Sequence, residues 1–221
     1  MTGIDTDPVN ATLSGYKELN IVKLEIRSGE NGDGNDIDPR KFDMMIELLT
    51  NHDPEKHFII DNGAATFVPL CAYMIENDVF SILSQQHKIM LHTVVTGGQG
   101  LKDTLNGLNT LIQNFDVPLA VWLNRYFGEI AQNNKSFYEF NIYQENKDKF
   151  AALIRIPQKS AQTFGKDLEE LFSRRQTFAA ALADDSLPIM TRQRLKIFWN
   201  EVCQEIDKAG LASQPIGEEQ P

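Results

Sequence analysis

Residues 89–124, IMLHTVVTGGQGLKDTLNGLNTLIQNFDVPLAVWLN, decide the fold class. The run from Ile89 to Thr96 is apolar and rich in β-branched residues, as a buried strand is, and it closes on Gly97-Gly98. From Gly100 onward apolar residues recur at spacings of three and four, the pattern of an amphipathic helix. A second apolar run, Val117 to Leu123, ends at Asn124. Strand, helix and strand in this order supply the crossover that a parallel pair of strands requires.

The same alternation extends in both directions. Toward the amino end, HFIIDNG (57–63) is a short apolar run ending in Asp61, and a helical stretch follows over residues 67–86. Asp38-Pro39 provide an N-cap and an N1 proline for a helix over residues 40–51. Residues 21–26, IVKLEI, alternate as a half-exposed strand does, and GENGDGN (29–35) is turn-rich. The chain opens on GIDTD, the end of a strand entering a loop. Toward the carboxyl end, residues 135–150 read as a polar helical segment and AALIRIP (151–157) as the last strand. Two helices complete the pattern, over residues 167–183 and 187–209. Short apolar strands alternating with helices predict an α/β fold with a mainly parallel sheet flanked by helices in three layers. One domain is expected over residues 1–210, with a disordered tail over 211–221.

Composition narrows the function. The 221 residues are 42% hydrophobic and 24% charged, ordinary for a globular protein. No apolar run reaches the roughly 18 residues of a membrane span, and MTGIDTDPVN lacks the basic and apolar regions of a signal peptide. Cys71 and Cys203 stand far apart without CxxC spacing, which fits two small thiols in a reducing, cytoplasmic setting. With 21 basic and 31 acidic residues the net charge is −10, so the broad positive footprint of a nucleic-acid binder is missing.

In an open parallel sheet ligands bind at the carboxyl ends of the strands. The residues after each apolar run are therefore the ones to inspect: Asp5 and Asp7, Asp61, Thr96 and Asn124. Any one of them has a duller explanation as a helix cap or turn former. Their shared placement at one edge is what points to a site. Acidic groups at adjacent strand ends suit a divalent cation carrying phosphate oxygens, and magnesium needs few protein carboxylates.

These stretches resemble a family. Asp5-Thr6-Asp7-Pro8, continuing to Asn10-Ala11-Thr12, is similar to the DxDP switch I segment of the MinD/ParA-like deviant Walker A P-loop ATPases. Phe58 to Asp61 resembles their Walker B strand, VWLNR (121–125) their adenine-reading strand end, and Ile156-Pro157 the segment beside the base. HTVVTGGQ, VWLN and IMTRQRLKI bring the likeness nearest to the conjugal-transfer TraL and plasmid-stability StbB families. The resemblance spans residues 3 to about 208. DxDP is moderately specific, and the other pieces carry weight through their order.

The resemblance implies ATP and Mg2+ as cofactors. It makes Asp7 the group that orients the attacking water, Asp61 the Walker B carboxylate and Asp5 a second contributor to the magnesium environment. Asn124, with Arg125 beside it, would read adenine, and Pro157 would line the base pocket. It further implies a nucleotide-dependent homodimer, a plasmid partner protein and nonspecific DNA contact. One part of the family pattern is missing: KGGVGK[ST] belongs roughly 25–30 residues before DxDP, and only four residues precede Asp5. No GxxxxGK[ST] occurs elsewhere. TGGQGLKD (96–103) is Gly-rich, but its lysine is displaced by one and no Ser or Thr follows it directly. The expectation is a start lying upstream or a truncation, with the first strand and helix absent and little ATP hydrolysis by this form.

Two other readings stay open. A non-enzymatic, protein-binding module of the same fold is favoured by the missing loop, and a flavodoxin-like nucleotide binder rests on the fold pattern alone. TRQRLK (191–196) offers three positive charges to DNA or a partner, although a solvated helix face explains them better. His92, inside an apolar strand, reads as a satisfied core histidine, and no hydrolase nucleophile motif is present.

Overall fold

The computed structural model describes residues 1–29, 32 and 34–211, so residues 212–221 of the expected tail lie outside the described residues. The chain forms two compact units. Met1–Ile89 with Phe172–Thr177 make the first, and Met90–Leu171 with the chain from Phe178 onward make the second.

The first unit is built on a three-stranded parallel sheet of β1 (Thr2–Asp5), β2 (Ile21–Lys23) and β3 (Phe58–Asp61), in the order β2-β1-β3. Asp5 is paired with Lys23 on one side and with Asp61 on the other, which aligns the carboxyl ends of all three strands. Helices α1 (Asp43–Thr50), α2 (Ala64–Glu76) and α3 (Val79–Leu83) supply the remaining framework. Asp38 starts the first of these as its spacing predicts, its side chain accepting the Arg40 amide proton ahead of a 3-10 turn over Pro39–Phe42. Ile4, Ile26, Phe42, Met45 and Tyr73 are buried together at the centre. Burial of such side chains contributes roughly 1.5–3 kcal/mol each.

The second unit repeats the plan with β4 (Leu91–Thr96), β5 (Leu119–Asn124) and β8 (Phe150–Ile156), parallel and in the order β4-β5-β8. Helix α4 (Leu101–Asn114) buries Leu101, Leu108, Leu111 and Ile112, the apolar stripe read from the sequence. Helices α6 (Lys166–Ser173), α7 (Phe178–Ala183) and α8 (Ile189–Lys208) close a second core around Leu168, Leu171, Leu195 and Phe198. No described helix is long and apolar enough to cross a membrane.

Several local expectations are corrected. Residues 135–150 are not one helix. Asn133 and Asn134 adopt φ of 52° and 59°, the left-handed pair that a type I′ turn requires. They join β6 (Ala131–Gln132) and β7 (Lys135–Ser136) into an antiparallel hairpin. Beyond it the buried Phe137 ring meets Tyr138, Phe140 and Tyr143, and only α5 (Asn141–Gln144) is helical by α geometry. The helix expected over 167–183 is broken at Arg175, whose φ of 51° cannot continue a right-handed helix. The strand over 21–26 ends at Lys23, and α2 begins at Ala64 rather than Phe67.

Each sheet also has an open edge. Among the described residues β3 pairs only with β1, and β4 only with β5. On β3 the consecutive residues Ile59 and Ile60 are 52% and 36% exposed, and on β4 Val94 is 45% exposed. Consecutive strand residues face opposite sides, so each face of β3 carries a partly exposed isoleucine. Parallel strands are ordinarily covered on both.

Candidate functional site

The three aspartates singled out in the sequence meet in the first unit. Asp5 ends β1 and Asp61 ends β3 directly opposite it. Thr6, fully buried, ties the two strand ends together: its amide and its hydroxyl both donate to the Asp61 carbonyl, at 2.9 and 3.1 Å. The Asp5 side chain is fully buried. One of its carboxylate oxygens accepts the Asp7 amide proton at 3.0 Å and the other accepts that of Ser14 at 2.7 Å. Asp5 is thus the anchor of the loop that follows β1, and both its oxygens are engaged by backbone donors.

Asp7 is placed by the same loop. Its Oδ1 accepts from the amides of Val9 and Asn10, at 2.8 and 3.2 Å. Its carboxylate lies against Gly63, the N-cap of α2, where a Cβ would overlap it. An anion at a helix N-terminus is favoured by the free amides and the helix dipole. The loop is held in a strained form at Ala11, whose φ of 40° is uncommon for a residue bearing a Cβ.

Asp61 is the carboxylate of the three that stays open to solvent. Partial burial pushes its pKa up, and the charges of Asp5 and Asp7 push it further in the same direction. Asp5 and Asp7 thus lie close enough to act on Asp61, and the three carboxylates share one rim. Among the described residues no set of three or more His, Cys, Asp or Glu side chains is arranged as a metal cage. The donor set fits magnesium in one way only: a single free carboxylate, Asp61, acting on an ion whose other ligands are waters and phosphate oxygens.

The second unit places its predicted residues at its own carboxyl edge. Asn124 ends β5 opposite Ile156, the last residue of β8, and Pro157 follows immediately. Asn124 Oδ1 accepts the Tyr126 amide proton at 3.0 Å, which leaves its NH2 group to turn outward. Arg125 pairs with Glu129. Tyr126 packs near Gly165 and donates its hydroxyl proton to Glu169 at 2.8 Å, so this loop is fastened to α6. The Gly97-Gly98 turn serves packing: a Cβ on Gly97 would collide with the backbone carbonyls of Gly128 and Glu129.

Other predicted features resolve individually. His92 lies on an exposed face of β4 rather than in the core, and its Nδ1 accepts the Trp122 indole proton at 3.0 Å. That bond requires the neutral ring, and desolvation lowers the His92 pKa in the same sense. Of the three basic residues of TRQRLK (191–196) on α8, two are paired, Arg192 with Asp185 and Arg194 with the buried Asp167. Trp199 stacks on Phe178 at 4.8 Å. Sequence reading missed Thr6, Ser14 and Gly63. Thr6 was visible as the middle of DTDP, and Gly63 as the residue after IIDN, while nothing marked Ser14.

Comparison with known proteins supplies the relationship. No family model matches the chain, and no solved structure does. Two curated relatives from Escherichia coli, each called Protein TraL, do match. One is 44% identical over 211 residues, covering 94% of this chain and 85% of its own length, and the second is 44% identical over 212 residues with the same coverage. Identity at that level over nearly the whole chain settles kinship: the protein belongs to the TraL family.

Proposed function

We propose that this chain is a nucleotide-dependent switch of the ParA/MinD type that acts in plasmid conjugative transfer. The observation that carries the reading is the acidic rim: Asp5 and Asp61 opposite each other at adjacent parallel strand ends, with Asp7 following on an anchored loop. On this reading Asp61 holds Mg2+ through water, Asp7 orients the water that attacks the γ-phosphate, and Asp5 fixes the loop that carries Asp7. Asn124 offers its NH2 group to the adenine ring, beside Arg125 and Pro157. A nucleotide-dependent cytoplasmic homodimer, a plasmid partner protein and nonspecific DNA contact belong to the same proposal.

The reading needs a phosphate-binding loop with its lysine, and no GxxxxGK[ST] occurs among the 221 residues. The loop of such enzymes lies between a parallel strand and a helix. The uncovered edge of β3, with Ile59 and Ile60 exposed on its two faces, is of the kind that a further parallel strand with its helix would cover. The test is a titration of mant-ATP, with and without Mg2+, into the chain extended at its amino end by a strand–loop–helix carrying KGGVGK[ST]. Saturable, Mg2+-dependent binding that weakens at least tenfold in Asp61→Asn is expected. Absence of saturable binding by the extended chain overturns the proposal.

A second reading is a protein-binding module of the same fold without ATPase activity. Under it the Asp61→Asn and Asp7→Asn variants would leave transfer frequency unchanged in a conjugation assay.

A further inference from the structure

Helix α2 is apolar almost all the way round. Of its 13 residues, AATFVPLCAYMIE, only the last, Glu76, is charged. Its inward side is occupied: Thr66 and Tyr73 are buried, and Leu70 and Met74 pack against the core of the first unit. Its outward side is bare. Ala65, Val68, Ala72 and Ile75 are all exposed, Val68 to 70% and Ile75 to 47%. A surface helix turns polar residues to water on this side, and a helix hydrophobic all round is a buried one. Helix α4 follows that rule, exposing Lys102, Asp103, Asn106, Asn109 and Gln113.

The order of the four exposed residues identifies what covers them. Steps of three, four and three keep them in one row along the helix, the spacing of a coiled-coil seam. Along that row small and large side chains alternate: alanine, valine, alanine, isoleucine. A second copy of α2, laid antiparallel across a two-fold axis at the level of Leu70, brings Ala65 opposite Ile75 and Val68 opposite Ala72. Symmetry repeats both pairs in reverse. Every pair then joins a small side chain to a large one, the condition for interdigitated packing. A parallel pair would set alanine against alanine and isoleucine against isoleucine.

Charge selects the same occupant. The chain carries a net charge of −10, so two copies repel over most of their surface and meet most easily where a face is uncharged. In the antiparallel arrangement Glu76 falls at the end of the row, opposite the neutral Ala64 of the second copy. We propose that α2 is a homodimer contact, paired antiparallel with α2 of a second copy along this row. The row contains none of the rim carboxylates, so the pairing needs no nucleotide and is independent of the switch reading.

Sedimentation equilibrium of the purified chain in nucleotide-free buffer tests it. The row is short beside a standard protein–protein interface, so the measurement spans about 1 to 200 µM, where a reversible monomer–dimer equilibrium is expected. Val68→Lys and Ala72→Glu each put a charge into the apolar row and should weaken self-association at least tenfold. Both positions are exposed, and an unchanged circular dichroism melt verifies that each variant is folded. Mixed in equal amounts, the two variants set the new lysine opposite the new glutamate in one pair and keep the native valine–alanine contact in the other. The mixture should therefore associate at least tenfold more tightly than either variant alone. The proposal is overturned if the wild-type chain is monomeric throughout this range, if either variant associates as the wild type does, or if the mixture associates no better than its components.

Discussion

The two units share a plan, three parallel strands with the candidate site residues at the carboxyl edge, yet the chemistry of the two edges differs. The first edge is acidic and is held by side chains: Asp5 pins its loop through two backbone amides, and Asp7 caps the next stretch. The second edge is almost neutral and is held mainly by backbone proximity, with Gly97-Gly98 pressed against the carbonyls of residues 127–129. The contrast teaches that the same topology can fix a loop either by charge or by steric fit. Only the charged solution leaves a carboxylate, Asp61, free for other work.

Breaking the two anchors should separate these modes. Asp5→Ala leaves two buried amide donors unsatisfied and should cost about 2–5 kcal/mol, against about 1 kcal/mol for Asn124→Ala, which loses one neutral hydrogen bond. Urea denaturation of both variants checks the ranking, and equal losses would show that Asp5 is not the anchor. Gly97→Ala forces a methyl group into backbone that cannot move aside and should cost about 3 kcal/mol. Gly63→Ala displaces only the Asp7 side chain and should cost about 1 kcal/mol. Thermal melts distinguish these values.

Acid should act on the two sheets with opposite sign, through Asp61 at the carboxyl end of β3 and His92 near the amino end of β4. Asp61 has a folded pKa above its unfolded value, so protonation favours the folded state. Its contribution to stability is fully present below the unfolded pKa and is lost as pH rises through the folded one. Asp61→Asn should therefore raise stability at pH 7, by about 0.5 kcal/mol once solvent screening is allowed for. His92 is the reverse case, its folded pKa lying below 6.5. The neutral-ring bond to Trp122 is intact above the unfolded pKa and is lost as pH falls through the folded one. Trp122 fluorescence followed from pH 8 to pH 4 should change in the wild type and stay flat in His92→Gln. The smallest effect expected is at Ala11, where glycine relieves the left-handed strain of about 1–2 kcal/mol but adds unfolded-chain freedom worth about 0.5–1 kcal/mol. A net gain below 1 kcal/mol by urea denaturation is the outcome to look for.

Much of this was legible in the sequence. Alternating apolar runs and helical spacing determined the parallel α/β class, because burial of a sheet between helices leaves that periodicity in the chain. The strand-end positions of Asp5, Asp61 and Asn124 followed from where those runs stop. The segment 135–150 was misread because its polar spacing suits a helix, while two left-handed asparagines and the packing of Phe137 impose a hairpin and short turns.

What the sequence alone could not determine is which of the aspartates is committed. DTDP makes both candidates, Asp5 for the magnesium environment and Asp7 for orienting water. Only the fold brings the Ser14 amide to Asp5 from nine residues away and turns a candidate metal ligand into a buried anchor. Hydrophobic pattern is a property of neighbouring residues and survives in one dimension. Hydrogen-bond satisfaction depends on which donors arrive from elsewhere in the chain, and tertiary structure decides that.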